Sequence, residues 1–264
     1  MWKEIEKIAN LEWANYAATL PVADVTPGLE VVLREEVVLN SSALFPTPDA
    51  NHACLLRAAP TQADALIEEV IGYFRDHEVV PTIYLSPACE PTDLPGRLKE
   101  RGFVEEDEKE AWMVLDLEGY EMPTTYPGVE VRRIAPKQAL TFAQVFLRAF
   151  EMPEEYAPAM AQLLAPSIGL QGTYHYLAFA NNRPIGTMSL LSHKEVGILG
   201  SAGVVSMRRG RGAATNLAVT AARQAQDMGI RYLVLQTTAG TLLERFLRIS
   251  GFERAFTRSC YVLP

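Results

Sequence analysis

Apolar and polar positions follow two different periodicities in the second half of the chain. Charged and apolar residues alternate over 129–134, which is typical of a strand with one buried face, and helical spacing follows over 136–149 and 154–164. Three runs rich in aromatic or branched side chains predict further strands at 174–180, 185–191 and 196–205. Strand and helix therefore mix, which predicts an α/β domain beginning near Val129.

The stretch that follows the last of these strands is the most informative in the chain. Residues 203–214 read Gly-Val-Val-Ser-Met-Arg-Arg-Gly-Arg-Gly-Ala-Ala and lead into a helix predicted over 211–228. The first turn of a helix has N–H groups without intrahelical partners and carries partial positive charge. The turn therefore predicts an anion site, in which two glycines admit a bulky diphosphate and two arginines, Arg209 and Arg211, add charge.

Arg209-Gly-Arg-Gly212-Ala-Ala214 matches the Gln/Arg-x-x-Gly-x-Gly/Ala signature of the GCN5-related N-acetyltransferase (GNAT) family. The order of elements over 129–264 resembles that family as well. The resemblance implies acetyl-CoA as co-substrate, bound where two strands diverge, and direct attack of an amine on its thioester. The cofactor-binding residues that it implies are Ala202, Gly203, Val204, Arg209, Gly210, Arg211, Gly212, Ala213, Ala214 and Thr215. The main-chain N–H near Val204 would polarise the thioester carbonyl.

The sequence departs from the family at one catalytic position. The late helix of the family commonly reads Asn-x-x-Ala-x-x-Leu-Tyr-x-x-x-Gly-Phe, and its Tyr protonates the departing CoA thiolate. Counting back from Gly251-Phe252 places Leu247 at that tyrosine. A thiol with a pKa near ~8.5 leaves with modest help, so turnover does not require the acid. An N-acetyltransferase is the predicted function, and a CoA-binding sensor or regulatory protein without turnover is the alternative.

The general acid and base stay unassigned, although several side chains are candidates. Those on predicted strands or in the hairpin are Cys260, Tyr261, Glu195, His175 and His193. Each also has an ordinary explanation as a packed or solvated residue. In the family the loop 150–155 lies on the acceptor side, so its acidic residues could meet an amine or simply be solvated.

The first half of the chain repeats the order of the second. The spacing from Phe103 to Trp112 equals that from Phe252 to Tyr261, and a strand, a helix and a Gly-Phe pair precede each. This repeat predicts two tandem GNAT-like α/β domains, each with a mixed, mostly antiparallel sheet flanked by helices. Residues 1–122 would be a degenerate copy, because 58–62 contain no pyrophosphate turn, and 128–264 would be the acetyltransferase domain.

Charge differs between the halves, with 9 Lys and Arg against 24 Asp and Glu in 1–126 and 15 against 8 in 127–264. This asymmetry indicates either an acidic face that attracts cationic substrates or two solvated surfaces that have diverged. The overall charge of −8 argues against binding to nucleic acid.

Composition restricts the remaining classes. No apolar run reaches the length of a membrane span, the N-terminus lacks an apolar signal core, and the three cysteines lie far apart. Free thiols in a reducing compartment fit this pattern better than disulfides or zinc. We therefore expect a cytoplasmic protein that binds no metal and acetylates a small-molecule or peptide amine. Its oligomeric state is open, with a homodimer as one alternative.

Overall fold

The computed structural model describes residues 2, 4–45 and 47–264. Its helices are α1 (Ile5–Ala23), α2 (Ala63–Asp76), α3 (Leu94–Glu100), α4 (Ala139–Ala149), α5 (Ala157–Leu164), α6 (Ala213–Asp227) and α7 (Leu242–Ile249). Its strands are β1 (Leu29–Leu33), β2 (Val38–Ser42), β3 (His52–Cys54), β4 (Thr82–Leu85), β5 (Val104–Asp116), β6 (Val129–Arg133), β7 (Thr173–Ala180), β8 (Arg183–His193), β9 (Val196–Val204), β10 (Tyr232–Thr238) and β11 (Glu253–Val262).

Contacts between Cα atoms divide the chain into two compact units. Unit 1 contains the described residues up to Asp24, Gly28–Leu115 and Gln236–Pro264, whereas unit 2 contains Val25–Pro27 and Asp116–Leu235. Unit 1 is therefore discontinuous, because the chain returns to it after forming unit 2.

The sheet of unit 1 has the strand order β1-β2-β3-β4-β11-β5. Neighbouring strands are antiparallel except β3 and β4, which are parallel and joined through α2. Helix α2 buries Ile67, Val70 and Phe74 against the sheet, where Ile83 is also fully buried. This spacing of three and four residues is that of one helical face.

The division of the chain differs from the expected one at the C-terminus. We expected a second domain over 128–264, but β11 pairs with β4 from Ser259↔Leu85 onward and with β5 along most of its length. Residues 236–264 therefore belong to unit 1. Alternation along a strand predicts which side chains are buried, but it does not identify the neighbouring strand.

A buried ion network holds β11 in unit 1. The guanidinium of Arg258, 3% exposed, donates from Nη1 to Glu12 Oε1 at 3.1 Å and to Tyr16 Oη at 3.0 Å. Its Nε donates to Glu110 Oε2 at 2.7 Å. Burial raises the pKa of the Glu12 carboxyl, and the nearby positive charge of Arg258 opposes that change. Helix α1 and strand β11 are thus joined by a buried ion pair, and removing one partner leaves the other charge buried without compensation.

The sheet of unit 2 has the order β6-β7-β8-β9-β10, antiparallel except for the parallel pair β9 and β10. Helix α6 connects that parallel pair and contacts β6 to β9. Helix α4 contacts β8 and β9 and supplies Phe142 and Val145 to a core with Ile134 and Leu177. Each element predicted between residues 129 and 228 is present in the structure, with ends shifted by a few residues.

Some elements of unit 1 were not predicted from the sequence, or were predicted only in part. Helix α1 was not predicted, and β5 begins at Val104 rather than near Trp112 because its first half is charged and largely exposed. Strand β11 likewise begins at Glu253, directly after the Gly-Phe pair. Solvated strand positions carry no apolar alternation, so only the buried ends of these strands were visible in the sequence.

We expect the ion network to matter for the stability of the protein. Replacing Arg258 by Met leaves Glu12 buried without its cation, so the free energy of unfolding in urea should fall by about 3–5 kcal/mol. The double variant Arg258→Met/Glu12→Leu removes both charges and should recover at least about 2 kcal/mol of that loss. A loss below about 1 kcal/mol in the single variant would contradict the account.

Candidate functional site

The parallel pairing of β9 and β10 is short. Its register runs from Tyr232↔Val196 to Val234↔Ile198, and β9 continues to Val204 without a further partner on β10 among the described residues. Backbone N–H and C=O groups along this edge of β9 are therefore available to a ligand that lies beside the strand. The resemblance implied such a divergence of two strands, and the structure contains it in unit 2.

A bulge bends β9 at the same place. The register between β8 and β9 shifts between Thr187 and Ser189, and Ser201 has a left-handed φ of 49°. The buried Thr187 hydroxyl donates to Ser201 O at 2.7 Å and stabilises the bulge. Because Val205 N–H donates to Ile185 O on the β8 side, strand alternation places the N–H of Val204 on the open edge.

The Gly/Arg turn, residues 209–214, follows closely after β9. A 3-10 turn at Ser206–Arg208 leads to Gly210 and Gly212, whose φ values of 72° and 82° are left-handed and favour glycine. Within the described chain, the backbone N–H groups of residues 210–215 donate to no protein acceptor; Asn216 N–H is the first to donate, to Gly212 O at 2.9 Å. A row of free donors thus surrounds the start of α6, which is 15 residues long.

Tyr126 and Asn216 hold this helix start in place. The buried Asn216 amide accepts from Tyr126 N–H at 2.8 Å and donates to Tyr126 O at 3.1 Å and Val129 O at 2.8 Å. A Cβ added to Gly212 would lie 2.1 Å from Tyr126 Cγ. Glycine is therefore required at position 212 by the neighbouring ring as well as by φ. Neither residue was singled out from the sequence, because they lie 90 positions apart.

The two arginines of the motif have different surroundings. Arg209 Nε donates to Val204 O at 3.0 Å, and its Nη2 donates to Ala149 O at 2.9 Å. Arg211 is exposed, and its side chain has no partner in the part of the chain that the structure describes. We expected both to add charge for an anion; the geometry leaves Arg211 free for that role and engages Arg209 with main-chain carbonyls.

The loop 150–155 lies beside β9. A Cβ added to Gly203 would lie 2.9 Å from both Ala149 Cβ and Phe150 Cε2, so the half-exposed Phe150 ring packs against the strand. Arg148 forms a two-bond ion pair with Glu154 at 2.8 and 2.9 Å, which lowers the pKa of that carboxyl. Of the acids in this loop, Glu151 and Glu155 form no ion pair with described residues.

His175 is a structural residue of unit 2. The Ser167 hydroxyl donates to Leu164 O at 2.7 Å, so it accepts from His175 Nε2 at 3.0 Å; Nδ1 then accepts from the Ser189 hydroxyl at 2.8 Å. Burial lowers the pKa of His175 to about 4, and the neutral ring joins β7, β8 and the turn after α5. This arrangement supports packing and gives no catalytic geometry.

The other candidate catalysts do not form a group in unit 2. Cys260 and Tyr261 are buried in unit 1, where burial raises the pKa of Cys260 to about 11 and that of Tyr261 to about 12. Leu247 is also buried in unit 1. Burial lowers the pKa of His193, and the Glu195 side chain is exposed at the start of β9. No general acid or base follows from this geometry.

Among the described residues, no group of three His, Cys, Asp or Glu side chains could hold a metal ion. No helix in the described part of the chain has the length and apolar composition needed to cross a membrane. The three cysteines are free and buried.

Comparison with known families gives one match, over residues 141–252, to the acetyltransferase (GNAT) family. The matched stretch includes most of α4 and all of β9, the Gly/Arg turn and α6, which carry the candidate site. Comparison with curated proteins finds no significant sequence match.

Solved structures share the fold at low sequence identity. The chain is similar to a GCN5-related N-acetyltransferase from Kribbella flavida, with 15% identity, a TM-score of 0.70 and coverage of 95% of this chain and 94% of that one. It is also similar to a tandem GNAT protein from the clavulanic acid biosynthesis pathway, with 15% identity, a TM-score of 0.64 and coverage of 93% and 85%. A GCN5-related N-acetyltransferase from Sphaerobacter thermophilus is similar with 19% identity, a TM-score of 0.59 and coverage of 97% of this chain and 90% of that one. The predicted tandem α/β fold is confirmed.

Stability should depend on pH through His175. Its pKa is lowered to about 4 in the folded state, so the unfolded chain binds the extra proton as pH falls below the ordinary value of 6.5. Between pH 6.5 and 4 the wild type should lose about 3 kcal/mol more unfolding free energy than His175→Gln. Urea titrations at several pH values measure this difference.

The variant His193→Gln is the matched control, because it removes a less buried histidine of the same unit. Its loss of stability over this pH range should lie closer to that of the wild type than to that of His175→Gln. If the His175→Gln profile were parallel to that of the wild type, His175 would not be held neutral in the fold.

Proposed function

Since residues 141–252 match the acetyltransferase (GNAT) family, we propose that the protein is an acetyl-CoA-dependent N-acetyltransferase that acts on a small-molecule or peptide amine. The observation that carries the proposal is the row of free N–H groups at 210–215 beside the open edge of β9. A diphosphate and an extended amide-containing arm require these two features together.

The residues present fit the pyrophosphate of acetyl-CoA. Gly210 has no neighbour within 4 Å of an added Cβ, so a phosphate can approach its main chain. The amides of Gly210 to Thr215 would hold the phosphate oxygens, and Arg211 would add positive charge from an exposed position. Ala213 and Ala214 leave the first turn without bulk. The residues proposed to hold the cofactor are therefore 210–215, and Arg209, whose N–H donates to Ser206 O at 3.2 Å, borders them.

The open edge of β9 would hold the arm and the acetyl group. This edge includes Ala202, Gly203 and Val204, which lie beyond Ile198, the last residue of β9 that pairs with β10. When bound there, acetyl-CoA would supply the activated acetyl group. The N–H of Val204 would donate to the thioester oxygen as negative charge develops on it. A hydrogen bond that strengthens in the transition state lowers the barrier to attack by the amine.

The acceptor would approach from the loop 150–155. Phe150 provides an apolar wall against Gly203, and the unpaired Glu151 and Glu155 carboxylates supply negative charge near an arriving ammonium. Because no side chain in the described site is placed as general acid, the CoA thiol would leave as thiolate. Holding the amine and acetyl-CoA beside one strand would then account for much of the increase in the rate of acetyl transfer.

One observation favours a second function. Leu247 stands where the family commonly has its tyrosine acid, and it is buried. A protein that binds CoA and transfers nothing, as a sensor or regulatory subunit, would tolerate that change. Both functions require binding of acetyl-CoA or CoA, but only the acetyltransferase would turn it over.

The proposal extends to the rest of the chain. Residues 58–62, which precede α2 in unit 1, contain no glycine or arginine, so unit 1 would bind no pyrophosphate. The composition favours a cytoplasmic enzyme that needs no metal.

A thiol-release assay separates the two functions. The purified chain is incubated with acetyl-CoA and a panel of primary amines, including amino acids, polyamines, aminoglycosides and peptides, and free CoA is measured with a thiol reagent. We expect release that depends on both acetyl-CoA and one class of amine. Binding of acetyl-CoA by calorimetry without amine-dependent release for any acceptor would favour the sensor.

The pyrophosphate site is tested by the charge of one side chain. Ala214 is exposed in the first turn of α6, and Ala214→Glu puts a carboxylate among the free N–H groups while leaving the helix stable. We expect its affinity for acetyl-CoA in calorimetry to be at least about tenfold weaker than that of Ala214→Gln, which has the same size without the charge. Equal affinities of the two variants would place the phosphates elsewhere.

A further inference from the structure

The arginine of the Gly/Arg turn makes contacts that the motif does not explain. Arg209 uses Nε and Nη2 to bind two main-chain carbonyls, Val204 O at the end of β9 and Ala149 O at the end of α4. These carbonyls belong to two elements that are separate in sequence. A guanidinium presents its donors in a rigid fork, so both bonds fix its plane. Arg211, two residues later, forms no such bond with the described residues.

The end of α4 depends on this side chain to complete its hydrogen bonds. The last turn is closed by the pairs Phe150 N–H to Phe146 O at 3.0 Å, Glu151 N–H to Arg148 O at 3.4 Å and Met152 N–H to Leu147 O at 2.8 Å. This pattern is a Schellman motif with Glu151 at the left-handed position, where its φ is 57°. Ala149 O has no amide partner in that pattern, and Arg209 is its donor.

The closed helix end carries the acceptor side of the site. A left-handed glutamate is less favourable than glycine at this position, so the turn needs support from its surroundings. Phe150 follows Ala149 directly, and its ring packs against Gly203 on the open edge of β9. The loop with Glu151 and Glu155 begins there. The position of these groups relative to β9 is thus set by the bond from Arg209 to Ala149.

We propose that Arg209 is a positioning residue for the amine acceptor, which holds the end of α4 and the Phe150 ring against β9 rather than binding the phosphates of the cofactor. The proposal rests on the proposed function for the identity of the two ligands. Its structural half, the bond between Arg209 and the end of α4, can be tested without any ligand.

Hydrogen–deuterium exchange tests the structural half. In Arg209→Lys the charge stays, but one ammonium cannot replace the fork, so the peptide that contains amides 150–152 should exchange about tenfold faster than in the wild type. Arg211→Lys is the matched control, and its exchange in that peptide should equal the wild-type value. Unchanged exchange in Arg209→Lys overturns the proposal.

Binding and kinetics test the functional half. The Kd of Arg209→Lys for acetyl-CoA should stay within about threefold of the wild type, whereas Arg211→Ala should weaken binding by about three- to tenfold. With the best amine of the panel, Arg209→Lys should lower kcat/KM for the amine by about tenfold and leave KM for acetyl-CoA unchanged. Phe150→Leu, which keeps Arg209, should show the same selective loss for the amine.

The opposite result overturns the proposal. If Arg209→Lys bound acetyl-CoA more than about tenfold more weakly and kept full kcat/KM for the amine at saturating acetyl-CoA, Arg209 would be a phosphate ligand. A wild-type chain that binds no acetyl-CoA refutes the proposed function instead. In that case the exchange of amides 150–152 still decides whether Arg209 holds the end of α4.

Discussion

The candidate site depends on the early end of the pairing between β9 and β10. After Ile198 and Val234 the two parallel strands share no register, and β9 continues alone to Val204. A strand edge inside a folded unit must satisfy its polar groups; here Arg209 donates to Val204 O, and the N–H of Val204 is left to water or a ligand. The bulge at Ser201 turns this edge, and the Gly/Arg turn then carries the chain to the free amides at the start of α6. Each proposed part of the site follows from that divergence.

In each unit one arginine side chain links two elements that are distant in sequence. In unit 2, Arg209 supplies a donor to the carbonyl of Ala149 that the end of α4 leaves open. In unit 1, Arg258 is buried and joins α1 to β11 through Glu12. The first arginine is exposed and its bonds are individually weak, whereas the second is desolvated and costly to break. Arg209 therefore positions the end of α4, whereas Arg258 contributes to the stability of unit 1.

The sequence predicted the parts of this site that are local in the chain. Positive φ at Gly210 and Gly212, the apolar face of α6 and the strand before them are written in neighbouring residues. Contacts over long separations could not be predicted: Arg209 lies 60 positions from Ala149, and Asn216 lies 90 from Tyr126. The same limit explains why β11 was placed in the wrong unit, since pairing partners are not encoded in the alternation of one strand. Solvated elements such as the first half of β5 left no periodic signal.

The central claim is that the free amides of residues 210–215 hold the pyrophosphate of acetyl-CoA. The most direct measurement is a titration of the ¹⁵N-labelled protein with acetyl-CoA, followed through its backbone amide resonances. We predict that the largest shifts lie in the amides of Gly210, Gly212 and their neighbours up to Thr215, with smaller shifts along the open edge of β9. Saturable binding that leaves the resonances of 210–215 unchanged would contradict it.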